Sequence, residues 1–378
     1  MNQKKYLGAF APISDPSLLN LVASAYKSNQ ADLKNTAFQA LTKWENEAAT
    51  SYLFPVVESN EPEKANAAFR AYIKQIGSSS LSTERKVLSI RKLIPYTQDD
   101  AGLKRLIINQ LANNKSFLSF ITVATFLDDA KVQQAAAQAC SDIALPESGG
   151  KAGLFGATVK PVLEKCMVVL SGAESDYTRE NIRTWLSQMP ASEGFVPMFN
   201  GKDLSGWQGL VENPIARAAM APDVLAAKQK EADAKLPLNW TVVNGEIRFT
   251  GTGYENLCSV KDYADFEMWV DWRISKNGDS GIYLRGTPQV QIWDTTRVDV
   301  GANVGSGGLY NNKNNPSKPL KLMDNAINDW NTFFIRMVGE KVTVYLNGEL
   351  VVDNVTLENY WDRKLPIFPS GPIELQAH

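Results

Sequence analysis

The spacing of the apolar residues changes near residue 190, and this change limits the chain to two domains of different class. Before it, apolar residues recur three and four positions apart, as in Leu103, Ile107 and Leu111, which is the pattern of an amphipathic helix. From residue 195 onward, short strand-forming runs alternate with turn pairs such as Asn347-Gly348. A length of 378 residues also favours two domains over one. We therefore predict an α-helical domain over residues 1–190 and a β-sandwich or jelly roll over residues 195–378.

Helical segments recur in the first domain roughly every 30–40 residues, which is the period of paired helices stacked as an α-solenoid. Three such segments cover residues 38–44, 69–76 and 135–143. Polar groups such as Ser14-Asp15-Pro16 and Gln98-Asp99-Asp100 lie between segments and fit a helix end followed by an N-cap. In period and pattern this half is similar to HEAT repeats. It contains no catalytic constellation, so docking of a protein partner is the expected role.

Charge and composition exclude several classes of function. The net charge is −2, which gives no electrostatic footprint for nucleic acid, and no apolar run approaches the length of a membrane span. Lys4 and Lys5 are followed by no apolar segment of a signal peptide, so no leader is visible. Cys140, Cys166 and Cys258 have no metal-type spacing and are expected to be buried.

No cofactor is predicted. A single histidine with scattered carboxylates gives no zinc spacing. The Asn277-Gly278-Asp279 turn could hold calcium through oxygen ligands, but a plain tight turn is the favoured interpretation.

The segment from Ile373 to His378 alternates apolar and polar residues with a period of two, as a half-buried strand does. Ile373 and two further apolar residues take one face, while Glu374, Gln376 and His378 share the other. His378 is the only histidine in the chain and has the only side chain with an unperturbed pKa near neutrality. It is either a site residue or a surface histidine at a frayed end.

A helical insertion interrupts the predicted strands at about residues 215–235. The segment is rich in Ala, Lys and Glu and follows Asn213-Pro214, a suitable helix start. A surface excursion is favoured over a functional lid.

Eight motifs of the β domain occur in register: residues 199–207, Trp240 with 243–247, 265–267, 279–286, 289–294, 308–310 with 330–331, 344–348 and 371–378. Together they resemble the 3-keto-disaccharide hydrolase family, which has a concanavalin A-like jelly-roll fold. Gln291 stands where the family usually has an acidic residue. Family members usually continue past the final histidine, so the chain is expected to lack the last strand.

The jelly roll implied by this resemblance has a concave groove on the outer face of one sheet. Period-two alternation then sorts the side chains between this groove and the core. The residues predicted to line the groove are Arg285, Gln291, Trp293, Tyr310, Gln376 and His378, and Tyr283 shares a face with Arg285. Glu267, Trp269 and Asp271 also share one face, which is either the same groove or the convex solvent side.

The resemblance implies cleavage of 3-keto-glycosides by an exported enzyme. A ketone at C3 acidifies the C2 proton, so the chemistry needs a base, a donor to the enolate oxygen and an acid for the leaving oxygen. His378 would suit the base or the acid, and Arg285 the enolate or the substrate hydroxyls. Asp294 or Glu374 would orient the histidine or act as the second proton carrier. Gln291, Trp293, Tyr310, Gln376 and Tyr283 would bind the sugar.

Two other functions remain open at this point. A carbohydrate-binding module would keep the groove without turnover. A docking protein would use the solenoid as its main surface and would have no affinity for sugars.

Overall fold

The computed structural model describes residues 3–59, 61–147, 150, 152–190, 194–251 and 253–378. The chain divides into two compact units, Met1–Val196 and Pro197–His378. Residues 191–193, which belong to the segment where the sequence predicts the domain boundary, lie outside the described residues.

The first unit is helical throughout its described part. Its predicted polar separators act as helix starts: Asp15 caps the helix that begins at Pro16 and accepts a hydrogen bond from the backbone N–H of Ser17, at 2.8 Å. Asp100 caps the helix after it in the same way. The helices are α1 Gln3–Phe10, α2 Pro16–Tyr26, α3 Ala31–Thr42, α4 Thr50–Val57, α5 Pro62–Ser78, α6 Thr83–Arg91, α7 Ala101–Ala112, α8 Phe117–Ala124, α9 Gln133–Ala144, α10 Val159–Val169 and α11 Asp176–Gln188.

Each helix of this unit packs against helices that are close to it in sequence. The odd-numbered helices from α3 to α11 contact one another in order, and α6 contacts α8 in the same way. The contacts bury an apolar stripe of each helix, as in Ile107 and Leu111 of α7, which are fully buried. Cys140 and Cys166 are buried in α9 and α10, which confirms the expectation for these two thiols.

The second unit is a sandwich of antiparallel sheets. A five-stranded sheet has the order β1-β4-β11-β6-β7 and a four-stranded sheet the order β10-β9-β8-β5, while β2 and β3 form a separate hairpin. The strands are β1 Trp207–Gly209, β2 Trp240–Val243, β3 Glu246–Phe249, β4 Leu257–Tyr263, β5 Phe266–Trp272, β6 Asp279–Leu284, β7 Thr287–Trp293, β8 Asn331–Val338, β9 Lys341–Leu346, β10 Glu349–Thr356 and β11 Gly371–Leu375.

One face of each large sheet forms the core of the sandwich. Ile282 of β6, Val290 of β7 and Ile373 of β11 pack against the inward side chains of the other sheet, such as Phe333 and Val344. Since side chains alternate along a strand, the neighbours of these residues point away from the core. The outer face of the five-stranded sheet is therefore available for a site.

Two helices connect β1 to β2. They are α12 Pro214–Ala219 and α13 Pro222–Asn239, at the place of the predicted insertion. Asn213 caps α12 through its side-chain oxygen, which accepts from the N–H of Ala216 at 2.9 Å. The side chain of Gln229 in α13 donates to the carbonyl of Gly209, so α13 lies on β1. No helix in the described part of the chain is long and apolar enough to cross a membrane.

Candidate functional site

A cleft of about 330 Å³ lies on the outer face of the five-stranded sheet, beside β6, β7 and the end of β11. Loops after β7 and β10 supply the rest of its wall. Its lining is rich in amide and aromatic side chains: Asp279, Tyr283, Pro288, Gln289, Gln291, Tyr310, Asn311, Tyr360, Trp361, Gln376 and His378.

Gly281 gives the floor of the cleft its depth. It is paired with Gln291 of β7, and its carbonyl accepts from the backbone N–H of Gln376, so two cleft residues flank it. A Cβ atom at this position would lie 2.6 Å from Cδ of Gln289. Only glycine leaves room for the side chain of Gln289 to lie across the strand.

A chain of hydrogen bonds fixes the polar floor. The side-chain amide of Gln289 donates to Oε1 of Gln291, and Nε2 of Gln291 donates to Oδ1 of Asp279 at 2.7 Å. Gln291 is 2% exposed, so these bonds are shielded from solvent. Gln291 therefore holds Asp279 in place, and the carboxylate of Asp279 borders the cleft.

Three amide oxygens of the lining are buried and accept no hydrogen bond from the described residues. They are Oε1 of Gln289, Oδ1 of Asn311 and Oε1 of Gln376. An unpaired buried acceptor is costly. Each of these three atoms has almost no surface open to solvent, so a hydroxyl donor reaches it only after the amide side chain turns toward the cleft.

Aromatic side chains form the walls. The indole N–H of Trp361 donates to the carbonyl of Gly286 at 2.8 Å, and the ring of Tyr360 stands perpendicular to it at 5.0 Å. Tyr310 is 52% exposed and meets the ring of Trp293 edge-on at 5.2 Å. Such rings offer flat apolar surfaces on which the face of a sugar can stack.

His378 lies at the mouth of the cleft and is exposed. Its ring packs edge-on against Tyr254, with 6.0 Å between ring centres. Tyr283 lies deeper, where burial and, to a lesser extent, the nearby Glu374 raise the pKa of its phenol to about 12. The Tyr283 hydroxyl is consequently protonated at neutral pH and able to donate.

Arg285 was predicted to line the groove, and this placement is wrong. Its backbone has a positive φ of 53° directly after β6, so it does not continue the alternation of the strand. Its guanidinium donates to the carbonyl of Ala264 at 2.7 Å and to the carboxylate of Asp265 at 2.9 Å. Arg285 is 3% exposed and ties two turns together.

Asp294 is likewise placed outside the described lining of the cleft. One carboxylate oxygen accepts from the N–H of Asn277, and the other accepts from the N–H and the hydroxyl of Thr296. Hydrogen bonds, first of all from the Thr296 hydroxyl, hold the pKa of this carboxyl below its usual value. Asp294 is thus a turn-forming residue and is not the second proton carrier in the cleft.

Glu374 is on the predicted outer face, but α12 covers it. It is paired with Tyr283 of β6 and is 1% exposed, while Nη2 of Arg217 lies 3.5 Å from its carboxylate. Its carboxyl group lies beside Tyr283 on the neighbouring strand and is not part of the described lining of the cleft. The role of orienting His378 is therefore unsupported for Glu374.

The open question about Glu267, Trp269 and Asp271 is answered by the sheet order. Their strand, β5, belongs to the four-stranded sheet, where it pairs with β8. Met268 and Trp272 of the same strand point into the core, so these three residues lie on the outer face of the second sheet. They are remote from the cleft.

Six lining residues were not predicted as site residues: Asp279, Pro288, Gln289, Asn311, Tyr360 and Trp361. Two of them could have been found from alternation, since Asp279 shares a face with Tyr283, and Gln289 with Gln291. Asn311, Tyr360 and Trp361 lie in loops, where no periodicity shows the direction of a side chain.

No group of three His, Cys, Asp or Glu side chains suited to a metal occurs among the described residues. The turn considered for calcium is a tight one. Asn277 has a positive φ of 63°, and a Cβ on Gly278 would clash with Ile274. The structure gives this turn a packing role.

Residues 194–378 match the family model described as the 3-keto-alpha-glucoside-1,2-lyase-like domain. A curated relative, the 3-keto-disaccharide hydrolase of Bacteroides thetaiotaomicron, is 26% identical over an alignment of length 105 that covers 25% of this chain. The match spans 29% of the length of that relative.

Two solved structures are also similar. A "putative glycosyl hydrolase" from Parabacteroides distasonis has a TM-score of 0.34 at 20% identity, and the match covers 48% of this chain and 86% of that one. The carbohydrate-binding module CBM66 from Bacillus subtilis has a TM-score of 0.24 at 12% identity, with coverage of 37% and 83%. Both scores are low, and the fold given above rests on this chain's own strands.

Proposed function

Since residues 194–378 belong to the 3-keto-alpha-glucoside-1,2-lyase-like family, we propose that this chain cleaves the glycosidic bond of 3-keto-glycosides. The observation that carries the proposal is the composition of the cleft. Unpaired amide oxygens suited to sugar hydroxyls lie there beside two groups able to move protons, Asp279 and His378.

The proposed reaction is an elimination made possible by the ketone. A base removes the proton from C2, and the electron pair is held as an enolate on the C3 oxygen. The enolate then forms the C1–C2 double bond while the C1–oxygen bond breaks, and an acid protonates the leaving oxygen. Water adds to C1 and a proton returns to C2, which gives net hydrolysis. The opposed carboxylates of an ordinary glycosidase are not needed.

His378 is the proposed base because it lines the cleft and imidazole is the side chain that most often acts as a general base. Asp279 takes the second proton-carrying role that was first considered for Asp294 or Glu374. Tyr283 replaces Arg285 as the donor to the enolate oxygen, since its raised pKa keeps the hydroxyl protonated. These steps use side chains of the chain and no cofactor.

Substrate hydroxyls would be bound by the side-chain oxygens of Gln289, Asn311 and Gln376. Tyr310 and Trp361 would stack on the ring. Gln291 does not bind the substrate in this scheme. It holds Asp279 and Gln289 in position, because its side-chain amide is hydrogen-bonded to both.

Turnover of a chromogenic 3-keto-glucoside beside its unoxidised parent tests the proposal, with His378→Ala in parallel. We expect release from the keto form alone, and a loss of about 100-fold or more in the variant. A variant within about tenfold of the native chain would reject His378 as the base. No release from either substrate, with sugar binding still measurable, would favour the alternative function of a carbohydrate-binding module, for which the aromatic walls and amide oxygens suffice.

The finer architecture is part of the same proposal: a concanavalin A-like jelly roll preceded by a HEAT-like solenoid that docks a protein partner. The order of helix contacts, each helix against its sequence neighbours, supports a solenoid. An exported location, as for a scavenger of extracellular sugars, is proposed from the family alone.

A further inference from the structure

A second cavity of about 380 Å³ adjoins the cleft. The two share Gln291 and Tyr310, so a molecule that reaches past Tyr310 enters both. The outer wall of the second cavity is the loop after β7, which includes two short 3-10 helices, Val298–Val300 and Ala302–Val304.

The walls of the second cavity differ in chemistry from those of the cleft. Trp293, Val300, Val304 and Pro319 give it an apolar lining, with polar groups such as Asn303 and Lys318 at exposed positions. The ring of Trp293 is held in place, since its N–H donates to the carbonyl of Gly305 at 3.0 Å. The cavity therefore suits a ring with one apolar face and polar groups at its edge.

At the β1 side of the five-stranded sheet, the helical insertion covers the same outer face. A Cβ on Gly209 of β1 would lie 2.6 Å from the backbone of Ala232 in α13, and one on Gly286 would lie 2.7 Å from Pro214 in α12. With Arg217 beside Glu374, the insertion leaves no space over β1 and β11. Along the sheet face, a bound molecule can therefore extend from the cleft toward the second cavity but not toward β1.

We infer that the second cavity binds the leaving group of the substrate, a sugar or aryl ring, while the cleft holds a terminal 3-keto sugar. This inference rests on the proposed function and adds the position of the leaving group and the terminal location of the oxidised ring. The bond to be cleaved lies beside Tyr310, where the two spaces meet.

Filling the second cavity tests the inference. Asn303→Trp and Lys318→Trp place a large side chain into it from exposed positions on different walls. Each is compared with the native chain on a methyl 3-keto-glucoside, a 3-keto-disaccharide and an aryl 3-keto-glucoside. Val338→Trp, at an exposed position at the end of β8, is the matched control.

We expect each filling variant to raise KM for the disaccharide and the aryl glucoside by about tenfold or more and to leave the methyl glucoside within about twofold. A rise for only one of the two large substrates identifies the kind of ring that the cavity accepts. Equal effects on all three substrates, or no effect from both variants, would overturn the inference while the proposed function stands. A native chain inactive on every keto substrate would reject the proposed function, and the inference with it.

Discussion

Arg217 of the helical insertion lies beside the buried carboxyl group of Glu374 in the sheet, with 3.5 Å between Nη2 and Oε1. Burial raises the pKa of this carboxyl to about 7, and Arg217 limits the rise. The Glu374 carboxyl group thus lies between the helical insertion and the sheet, next to Tyr283, and its charge changes near neutral pH.

The free energy of unfolding of the Glu374→Gln variant is expected to increase, relative to that of the native chain, as the pH rises. The folded state keeps the Glu374 proton above the usual glutamate pKa of 4.5, so the contribution of this group to stability is fully present below that pH and is lost as the pH rises through about 7. The pKa shift of Glu374 corresponds to a change of about 3 kcal/mol in the free energy of unfolding over this pH range. Denaturant unfolding near pH 4 and pH 8 measures it, and tryptophan fluorescence reports on this domain because seven of the nine Trp lie after residue 200.

A stability difference between Glu374→Gln and the native chain that stays constant over this range would contradict the raised pKa. Differences between variant and native chain at each pH cancel the effects of other carboxyls, such as Glu358, whose pKa is lowered to about 2.

Arg285→Met is expected to lower the free energy of unfolding by about 2–4 kcal/mol, because the carbonyl of Ala264 loses its buried donor and Asp265 its ion pair. Turnover of a 3-keto-glucoside should stay within about threefold when measured well below the unfolding temperature. A catalytic loss of about 100-fold with unchanged stability would restore Arg285 to the site.

Asp279→Asn is expected to lower kcat by about 100-fold or more with little change in stability, since an asparagine oxygen can still accept from Gln291. Asp294→Asn is the matched control, with the same change of charge on a neighbouring turn. That variant should lose about 1–2 kcal/mol of stability and retain kcat, because Asp294 bonds Asn277 and Thr296. A large loss of kcat in Asp294→Asn with kcat retained in Asp279→Asn would assign the proton-carrying role to Asp294.

Gly281→Ala is expected to fold but to bind substrate poorly. The new methyl group displaces the side chain of Gln289, which costs about 1–3 kcal/mol and removes an amide oxygen from its place in the cleft. KM for the keto-glucoside should rise by about tenfold. Gly8→Ala, whose methyl group meets no atom within 4 Å, serves as the control. An unchanged KM in Gly281→Ala would show that Gln289 does not contact the substrate.

Alternation of side chains explains how much of the site the sequence could predict. It placed Ile282 and Val290 toward the core, and Gln291 and Tyr283 toward the cleft, and the structure confirms these directions. It failed at Arg285, because the strand ends at Leu284 and the next residue turns with a positive φ. Alternation does not extend beyond the last strand residue.

The exposure of an outward-facing residue is a separate matter, because it depends on what covers the sheet. Glu374 faces outward as predicted, but α12, more than 150 residues earlier in the chain, lies over it (Arg217 and Glu374 are 157 positions apart). Likewise Tyr360 and Trp361 enter the cleft from a loop whose path no local pattern determines. The helix starts at Asp15 and Asp100 were predictable because a cap is a local interaction.

The position of β11 has a consequence for how the chain folds during synthesis. This strand lies between β4 and β6, although both are made about a hundred residues earlier. Until residues 371–375 have left the ribosome, β4 and β6 each present an edge of unpaired backbone groups that can pair with another nascent chain. A translation pause in the preceding loop would extend the lifetime of that aggregation-prone intermediate, and a chaperone that covers strand edges would be needed most at that stage.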